Sequence, residues 1–292
     1  MHMARTLLCL GYGYTAQALS RRLREKGWRI AATARSAEKA AALKAERIAA
    51  FSWDERGLDP AAFERADALL VSTPPGEAGC PAFAAAAGML AGSAPDLSWI
   101  GYLSSNGVYG DHGGDWIDEA TPVSPGTDRG SARAEAEARW SALAGDHALP
   151  LVIFRLPGIY GPGRSALDAV REGRARRILK EGQVFNRMHV DDIAAALEAS
   201  IDRPQAGALF NLSDNEPSPP HEVVAYACAL LDAETPPLIP LEEADLSEMA
   251  RSFYAENKRV RNERMKEALG VTLDYPSYRE GLRAIHATES AA

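Results

Sequence analysis

The stretch Arg129-Gly130-Ser131-Ala132-Arg133 sets two guanidiniums four residues apart, just after the loop SSNGVYGDHGG (104–114). A chain of alternating strands and helices keeps proton-handling residues in such a place, yet a guanidinium, with a pKa above about 12, is neither acid nor base at neutral pH. It can clamp an anion or steady an oxyanion. The plain alternative is a solvated helix face carrying Arg129, Arg133 and Glu137 on successive turns, with the Arg133/Glu137 pair contributing roughly 0.3 kcal/mol. The residues thus leave open whether the chain performs a reaction or only holds a cofactor.

A second constellation is more specific. The run LLCLGYGYTAQALSRRL places Gly11-Tyr12-Gly13-Tyr14-Thr15-Ala16 directly after a strand and at the opening of a helix. Gly11 permits the tight turn, Gly13 lets a diphosphate approach the backbone, and the small Ala16 lets helix pack on strand. Free N–H groups and partial positive charge at the helix start suit phosphate, so this turn predicts a dinucleotide site. The next strand ends TARS, with Arg35 where a carboxylate would otherwise meet a ribose diol. A guanidinium holds a 2′-phosphate bidentately, which favours NADP and leaves NAD as the alternative; Ser36 then caps the following helix. Asp54, after the third strand, faces the adenine edge or serves only as a turn former. Thr73-Pro74-Pro75 follows the fourth strand and forms a rigid turn at the strand ends, alongside the dinucleotide.

The elements that position these residues are legible from period. Apolar runs at 4–10, 28–34, 47–53, 66–73, 97–105 and 149–156 are continuous rather than alternating, and helix-like segments separate them. That pattern predicts an α/β fold, a doubly wound parallel sheet covered on both faces. Beyond Gly161 the rhythm changes to a basic helix over 165–182, strand-like VFNRMHV (184–190), a helix over 191–202 and strand-like GALFNLS (207–213), with proline-rich joints at 216–220 and 235–240. The expected division is a dinucleotide-binding domain over 4–165, to which 189–212 returns, and mainly a small C-terminal substrate lobe over 166–288.

Composition excludes several classes. With 292 residues, 46% hydrophobic and 25% charged, the chain has material for a large core. A net charge of −8 argues against nucleic acid and anionic membranes as partners. Three scattered cysteines, Cys9, Cys80 and Cys228, give neither a disulfide framework nor metal-ligand spacing, so no metal is expected and a reducing cytoplasm fits. The apolar run near the start is too short for an export signal, and AFAAAAGMLAG (82–92) is too short to span a bilayer.

At YLSSNGVYG (102–110), DEATPVSP (118–125), FRLPGIYGPG (154–163) and FNRMHVDDIAAAL (185–197), in this order after the glycine turn, the sequence resembles the extended short-chain dehydrogenase/reductases, the NAD-dependent epimerase/dehydratase family. The likeness spans essentially the whole chain, and the ending 257–282 resembles an atypical branch. The resemblance implies a Rossmann-type domain, a small substrate lobe, and a Ser/Thr, Tyr, Lys set that moves a proton as hydride passes to or from nicotinamide.

Carried over position by position, it puts the catalytic serine at Ser105, whose other reading is a strand-end hydroxyl bonding backbone. The Tyr-x-x-x-Lys pair falls on Arg129 and Arg133, so both expected residues are replaced. Arg133 keeps the positive charge, whereas Arg129 cannot replace a tyrosine as acid. The resemblance makes Tyr109 structural, though it lies near enough in sequence to be considered as a proton carrier. Tyr160 reads as packing and His189 as part of a helix start capped by Asp191 or Asp192. Pro157, Gly158 and Ile159 become a backbone wall for nicotinamide, Arg187 and Lys258 (or Arg259) candidates for an anionic substrate group, and Asn211 a structural asparagine. The reading is therefore an NADP-dependent oxidoreductase or epimerase-like enzyme on a small polar, sugar-nucleotide-like substrate, with a non-catalytic NAD(P)-binding sensor or scaffold as the alternative. Relatives of this kind form homodimers through the helices after the fourth and fifth strands; segment 82–92 serves that contact or is buried against the sheet.

Overall fold

In the computed structural model, which describes residues 4–55, 57–92 and 97–290, the continuous apolar runs become strands. The first half contains β1 (Thr6–Leu10), α1 (Tyr14–Glu25), β2 (Arg29–Ala34), α2 (Ala37–Ala45), β3 (Ala49–Asp54), β4 (Gly57–Leu58), β5 (Ala68–Val71), α3 (Pro81–Gly92), β6 (Trp99–Ser105), β7 (Trp116–Ile117) and α4 (Asp128–His147). The second contains β8 (Leu151–Leu156), β9 (Gly158–Tyr160), α5 (Ala166–Arg171), β10 (Arg177–Leu179), β11 (Arg187–His189), α6 (Val190–Asp202), β12 (Leu209–Asn211), α7 (Pro220–Leu230), β13 (Leu238–Pro240), α8 (Glu248–Ser252), β14 (Arg259–Val260), α9 (Glu263–Leu269) and α10 (Tyr278–Ser290).

Eight strands form one sheet in the order β12-β8-β6-β5-β1-β2-β3-β4, parallel throughout except for the short antiparallel β4. This is the expected Rossmann-type doubly wound sheet. From β1 the chain winds outward to β3 and then returns to β5 on the other side of β1, so the carboxyl ends of β1 and β5 flank the switch point.

Strand period explains the two cores. Leu7 and Cys9 point to the face covered by α1 and α6, where Leu19, Leu23, Ile193 and Leu197 are buried. Leu8 and Leu10 point to the other, covered by α3 and α4 through Ala82, Ala86, Leu90, Ala136 and Trp140. Burying each leucine contributes about 2 kcal/mol, and the strands have no polar face because both sides are used. The alanine-rich segment 82–92 thus packs one face on the sheet. The first core also takes in Met265 and Leu269 of α9, while α5, α7 and α10 form a smaller cluster around Tyr160, Leu167, Tyr278 and Leu282.

Several elements depart from the sequence reading. The helix-like DPAAFERA contributes only a single 3-10 turn, Pro60–Ala62, whose start is capped by Asp59 accepting from the Ala61 amide at 3.0 Å. The basic stretch 165–182 is not one helix. It stops at Arg171, turns through Gly173 at φ +65°, and enters β10, which pairs with β13. At α6 the cap is His189 itself, Nδ1 accepting from the Asp191 amide at 3.3 Å. Asp192 instead accepts from the amides of Asp274 and Tyr275 at 2.9 and 3.0 Å, tying the C-terminal segment to α6.

Candidate active site

The turn after β1 is held from both sides. The Gly11 amide donates to Thr33 Oγ1 at 3.0 Å, and Ser72 Oγ donates to the Gly11 carbonyl at 2.8 Å. Gly11 has φ +90°, and a Cβ there would lie 2.9 Å from Thr73 Cγ2 and 3.0 Å from Ser72 Oγ. Glycine is therefore required by the protein's own packing. Gly13 differs. It is the N-cap of α1 with no side-chain cap, and a Cβ would meet nothing within 4 Å. The first turn of α1 thus faces open space with its amides uncapped, as a diphosphate needs. Thr15 and Ala16 are buried beneath, while Tyr14 donates its hydroxyl to the Pro162 carbonyl at 3.0 Å and joins the β9 loop to this turn.

To one side lies a cavity of about 700 Å3 lined by Arg35, Trp53, Asp54, Glu55, Thr73 and Pro81. Arg35 is exposed, and Ser36 caps α2 by accepting from the Lys39 amide at 3.2 Å. Asp54 accepts from Ser52 Oγ at 3.1 Å. Trp53, Glu55 and Pro81 were not singled out from sequence; the SWDE run ending β3 was the available signal for the first two.

On the other side a cavity of about 470 Å3 brings together Pro74 and Pro75 with Ser105, Arg129 and Arg133, and also the Pro157-Gly158-Ile159 wall with Lys258. Ser105 closes β6 and starts a 3-10 turn (Asn106–Tyr109), its Oγ accepting from the Gly107 amide at 3.1 Å. Gly130, between the two arginines, is forced by close approach: a Cβ would come within 2.7 Å of the Gly107 carbonyl. That contact presses α4 against the serine turn.

The two arginines have different anchors. Arg133 Nη1 donates to the Leu103 carbonyl at 2.6 Å and reaches Tyr102 Oη at 3.5 Å, fixing a cation in the cavity it shares with Ser105. Arg129 instead reaches other residues that line this cavity, donating to Ser252 Oγ at 2.8 Å and lying 4.7 Å from the centre of the Phe253 ring. The Arg133/Glu137 pair that belongs to the plain solvated-face reading does not form. Glu137 is buried and holds Arg155 at 2.7 Å, and Arg155 in turn lies over Tyr109 at 4.6 Å. Tyr109 is itself fully buried, donates to Asn211 Oδ1 at 2.8 Å, and has its pKa raised by burial. It does not reach the Ser105 cavity.

Lys258 is buried, with Nζ donating to the Gly110 carbonyl and to Glu256 Oε2, both at 2.6 Å. The other carboxylate oxygen of Glu256 is buried without a hydrogen-bond partner. Both residues line the Ser105 cavity, and Glu256 is a site residue that sequence reasoning missed. Arg164, after the GPG turn, lines it too and lies 5.8 Å from the Tyr14 ring. Four cations against one carboxylate give this cavity a field suited to an anionic substrate. Arg187 is not among its lining residues; it opens onto a separate cavity beside β9 and β11. Tyr160 packs edge-on against His189, 5.2 Å between ring centres, as expected of a packing residue. Among the described residues no cluster could hold a metal ion, and no helix is long and apolar enough to cross a membrane.

Comparison with known proteins places this geometry. Residues 96–213 match the model of the NAD-dependent epimerase/dehydratase family. A solved structure described as a functionally unknown conserved protein from Silicibacter pomeroyi DSS is 47% identical, with 98% of this chain and 99% of that one covered and a TM-score of 0.91. Two more distant structures share the fold. One is the dTDP-glucose 4,6-dehydratase of Bacillus anthracis in complex with NAD, 16% identical, covering 99% of this chain and 97% of that one, TM-score 0.77. The other is the UDP-glucuronic acid 4-epimerase of Bacillus cereus in complex with UDP-glucuronic acid and NAD, 14% identical, covering 98% and 99%, TM-score 0.78. No curated protein sequence matches the chain.

Proposed function

Because this chain belongs to the NAD-dependent epimerase/dehydratase family, we propose that it is an NADP-dependent oxidoreductase or epimerase-like enzyme acting on a small, anionic, sugar-nucleotide-like substrate. The observation that carries the reading is the uncapped start of α1 above Gly13, where the protein leaves room for a diphosphate and fills it with nothing of its own. From there the coenzyme's adenosine end extends into the Arg35 cavity, with Arg35 on the 2′-phosphate. Its nicotinamide end extends past Pro74 and Pro75 to Pro157-Gly158-Ile159. Bound there, nicotinamide supplies or accepts hydride. The same reading divides the chain into a dinucleotide-binding part, 4–165 with 189–212, and a substrate lobe over most of 166–288. It also sets the protein in the cytoplasm as a homodimer joined through α3 and α4.

The residues beside Ser105 suggest how the proton moves without a tyrosine. Ser105 Oγ orients the reacting oxygen, Arg133 holds a fixed positive charge in the same cavity, and Lys258 gives a proton from Nζ and regains it from water, with the Glu256 carboxylate holding the ammonium in place. Arg129, bound to Ser252, has no proton-transfer role. Two observations favour competing readings. Asp54 and Glu55 share the Arg35 cavity, and a carboxylate there suits the ribose diol of NAD. The loss of both Tyr and Lys favours a non-catalytic coenzyme sensor or scaffold.

Fluorescence titration with NADPH and NADH, followed by absorbance against aldehydes, ketones and sugar nucleotides, separates the readings. Arg35→Ala weakens NADPH by at least about tenfold more than NADH, the loss of one charge-assisted phosphate contact. Equal losses remove the case for NADP. Turnover abolished by Ser105→Ala supports the enzyme, whereas tight binding with no turnover on any substrate favours the sensor.

A further inference from the structure

Beside β9 and β11 lies a second cavity of about 340 Å3, without Ser105 among its lining residues, that the coenzyme reading does not use. Its walls are the rings of Tyr160 and Tyr278 with Val223 and Leu282, and its polar side carries Arg187, with Arg164 and Arg174 also lining it. Arg174 is already paired with Glu172. Arg187 is not paired. It sits in β11 opposite Gly158, with Cζ 5.7 Å from the centre of the Tyr278 ring, and its Nη1 is buried with no hydrogen-bond partner among the described residues.

A guanidinium whose inner nitrogen is buried without an anion is costly, because the desolvation there is uncompensated. The carboxyl group that interacts with it most strongly, Asp214, makes no ion pair with it within 4.0 Å among the described residues and has its own Oδ2 buried and unpartnered. Burial pushes Asp214 up to about 8, so it is largely protonated at neutral pH and leaves the cation unbalanced. A largely apolar chamber that carries the unpaired Arg187, with Arg164 also on its wall and the Asp168 carboxylate already accepting from the Ser165 amide and hydroxyl, is the chemistry of a site for an amphipathic anion, and its volume is at the low end for small-molecule sites.

We propose that this cavity is a second ligand site, taking a small organic oxyanion whose charged group meets Arg187 and whose ring or short apolar body lies between Tyr160, Tyr278 and Leu282. The site is independent of the coenzyme assignment. Arg164 lines both cavities, so an occupant here touches a residue that also borders the Ser105 cavity.

Calorimetric titration of the full chain without coenzyme tests this, using benzoate, phenyl phosphate, inorganic phosphate and neutral benzyl alcohol as probes. Saturable one-to-one binding of benzoate or phenyl phosphate, with benzyl alcohol inert, is expected; which anion binds tighter identifies the headgroup. Inorganic phosphate, lacking the apolar body, binds at least about tenfold more weakly than phenyl phosphate. Arg187→Met weakens the organic anions by at least about tenfold. Because that variant alters a buried charge, Ala169→Phe, which adds bulk from α5 at the cavity wall, is the second arm and abolishes probe binding while leaving NADPH affinity unchanged. No binding at millimolar probe, or binding that survives both variants, overturns the proposal. Failure of NADPH to bind while the anions still do would sink the coenzyme reading and leave this one standing.

Discussion

Gly11 and Gly13 are both read as parts of one phosphate-binding turn, yet they are glycine for different reasons. At Gly11 the protein itself excludes a side chain, through Thr73 and Ser72 and a φ of +90°. At Gly13 the protein excludes nothing, so any requirement for glycine there comes from a ligand. Gly11→Ala is expected to destabilise the fold by about 1–3 kcal/mol, with coenzyme affinity falling as a consequence. Gly13→Ala should change stability by less than about 1 kcal/mol, since its backbone is extended and only an N-cap preference is lost. It should nevertheless weaken NADPH and NADH alike by a large factor. Thermal melting beside fluorescence titration checks both, and a Gly13→Ala protein that binds coenzyme normally removes the diphosphate from this turn.

At the scale of elements, the sheet was legible because parallel strands buried on both faces read as short unbroken apolar runs; the one comparable run that is a helix, 82–92, is set apart by its length and its alanines. The glycine turn was legible for a related reason: it needs a particular backbone at one place. What escaped the sequence was pairing at a distance. Glu137 stands one turn from Arg133, where a solvated helix face would pair them, but Arg155, projecting from the neighbouring β8, takes it in a dry site where an ion without its partner would be far costlier than on a surface. The Glu256 and Lys258 pair was equally hidden, since it borders Ser105 only after some 150 residues of intervening chain bring it there; Lys258 could be named as a candidate cation, its carboxylate partner could not. Likewise the helical period of the basic stretch could not show that Gly173 breaks it and that 177–179 finds a strand partner in β13. The contact of Arg129 with Ser252 and Phe253 was also unreadable, and it has a consequence for α8. That helix is five residues long, largely exposed, and held to α4 by the Arg129–Ser252 hydrogen bond and the Phe253 ring contact. An isolated helix of this length has no stability of its own. Arg129→Ala should therefore speed amide hydrogen exchange across 248–254 while shifting the melting temperature little, because an exposed contact contributes about 1 kcal/mol or less. Unchanged exchange in that segment would show that α8 is held by other contacts.

For the whole molecule, the buried acids decide how stability follows pH. Asp192 and Asp214 both lie where the second half of the chain joins the sheet, Asp192 receiving the Asp274 and Tyr275 amides and Asp214 receiving the Glu216 amide just beyond β12. Burial raises both, Asp192 to about 6 and Asp214 to about 8, although the amide bonds to each pull the other way and Arg187 also lowers Asp214. In the unfolded chain each returns to the ordinary value near 3.9. Between that value and its folded pKa, each group holds a proton in the folded state that the unfolded state has released. The native protein then binds more protons, and the slope of unfolding free energy with pH is negative. The contribution is complete below about pH 4 and is lost as pH rises, through about 6 for Asp192 and about 8 for Asp214. Paired surface carboxylates, and His189 with its pKa lowered by burial, act in the opposite direction, but the carboxylates finish titrating at lower pH and the histidine by about pH 6.5, below the range in which Asp214 titrates. Urea unfolding should accordingly show stability falling between pH 5 and pH 8, by an amount on the order of a few kcal/mol. Asp214→Asn keeps the size and hydrogen-bonding character of a neutral acid but cannot ionise, so it should flatten the upper part of that decline. A wild-type protein whose stability rises over the same interval, or an Asp214→Asn variant with an unchanged slope, would mean that Asp214 is ionised in the fold and balances Arg187 after all.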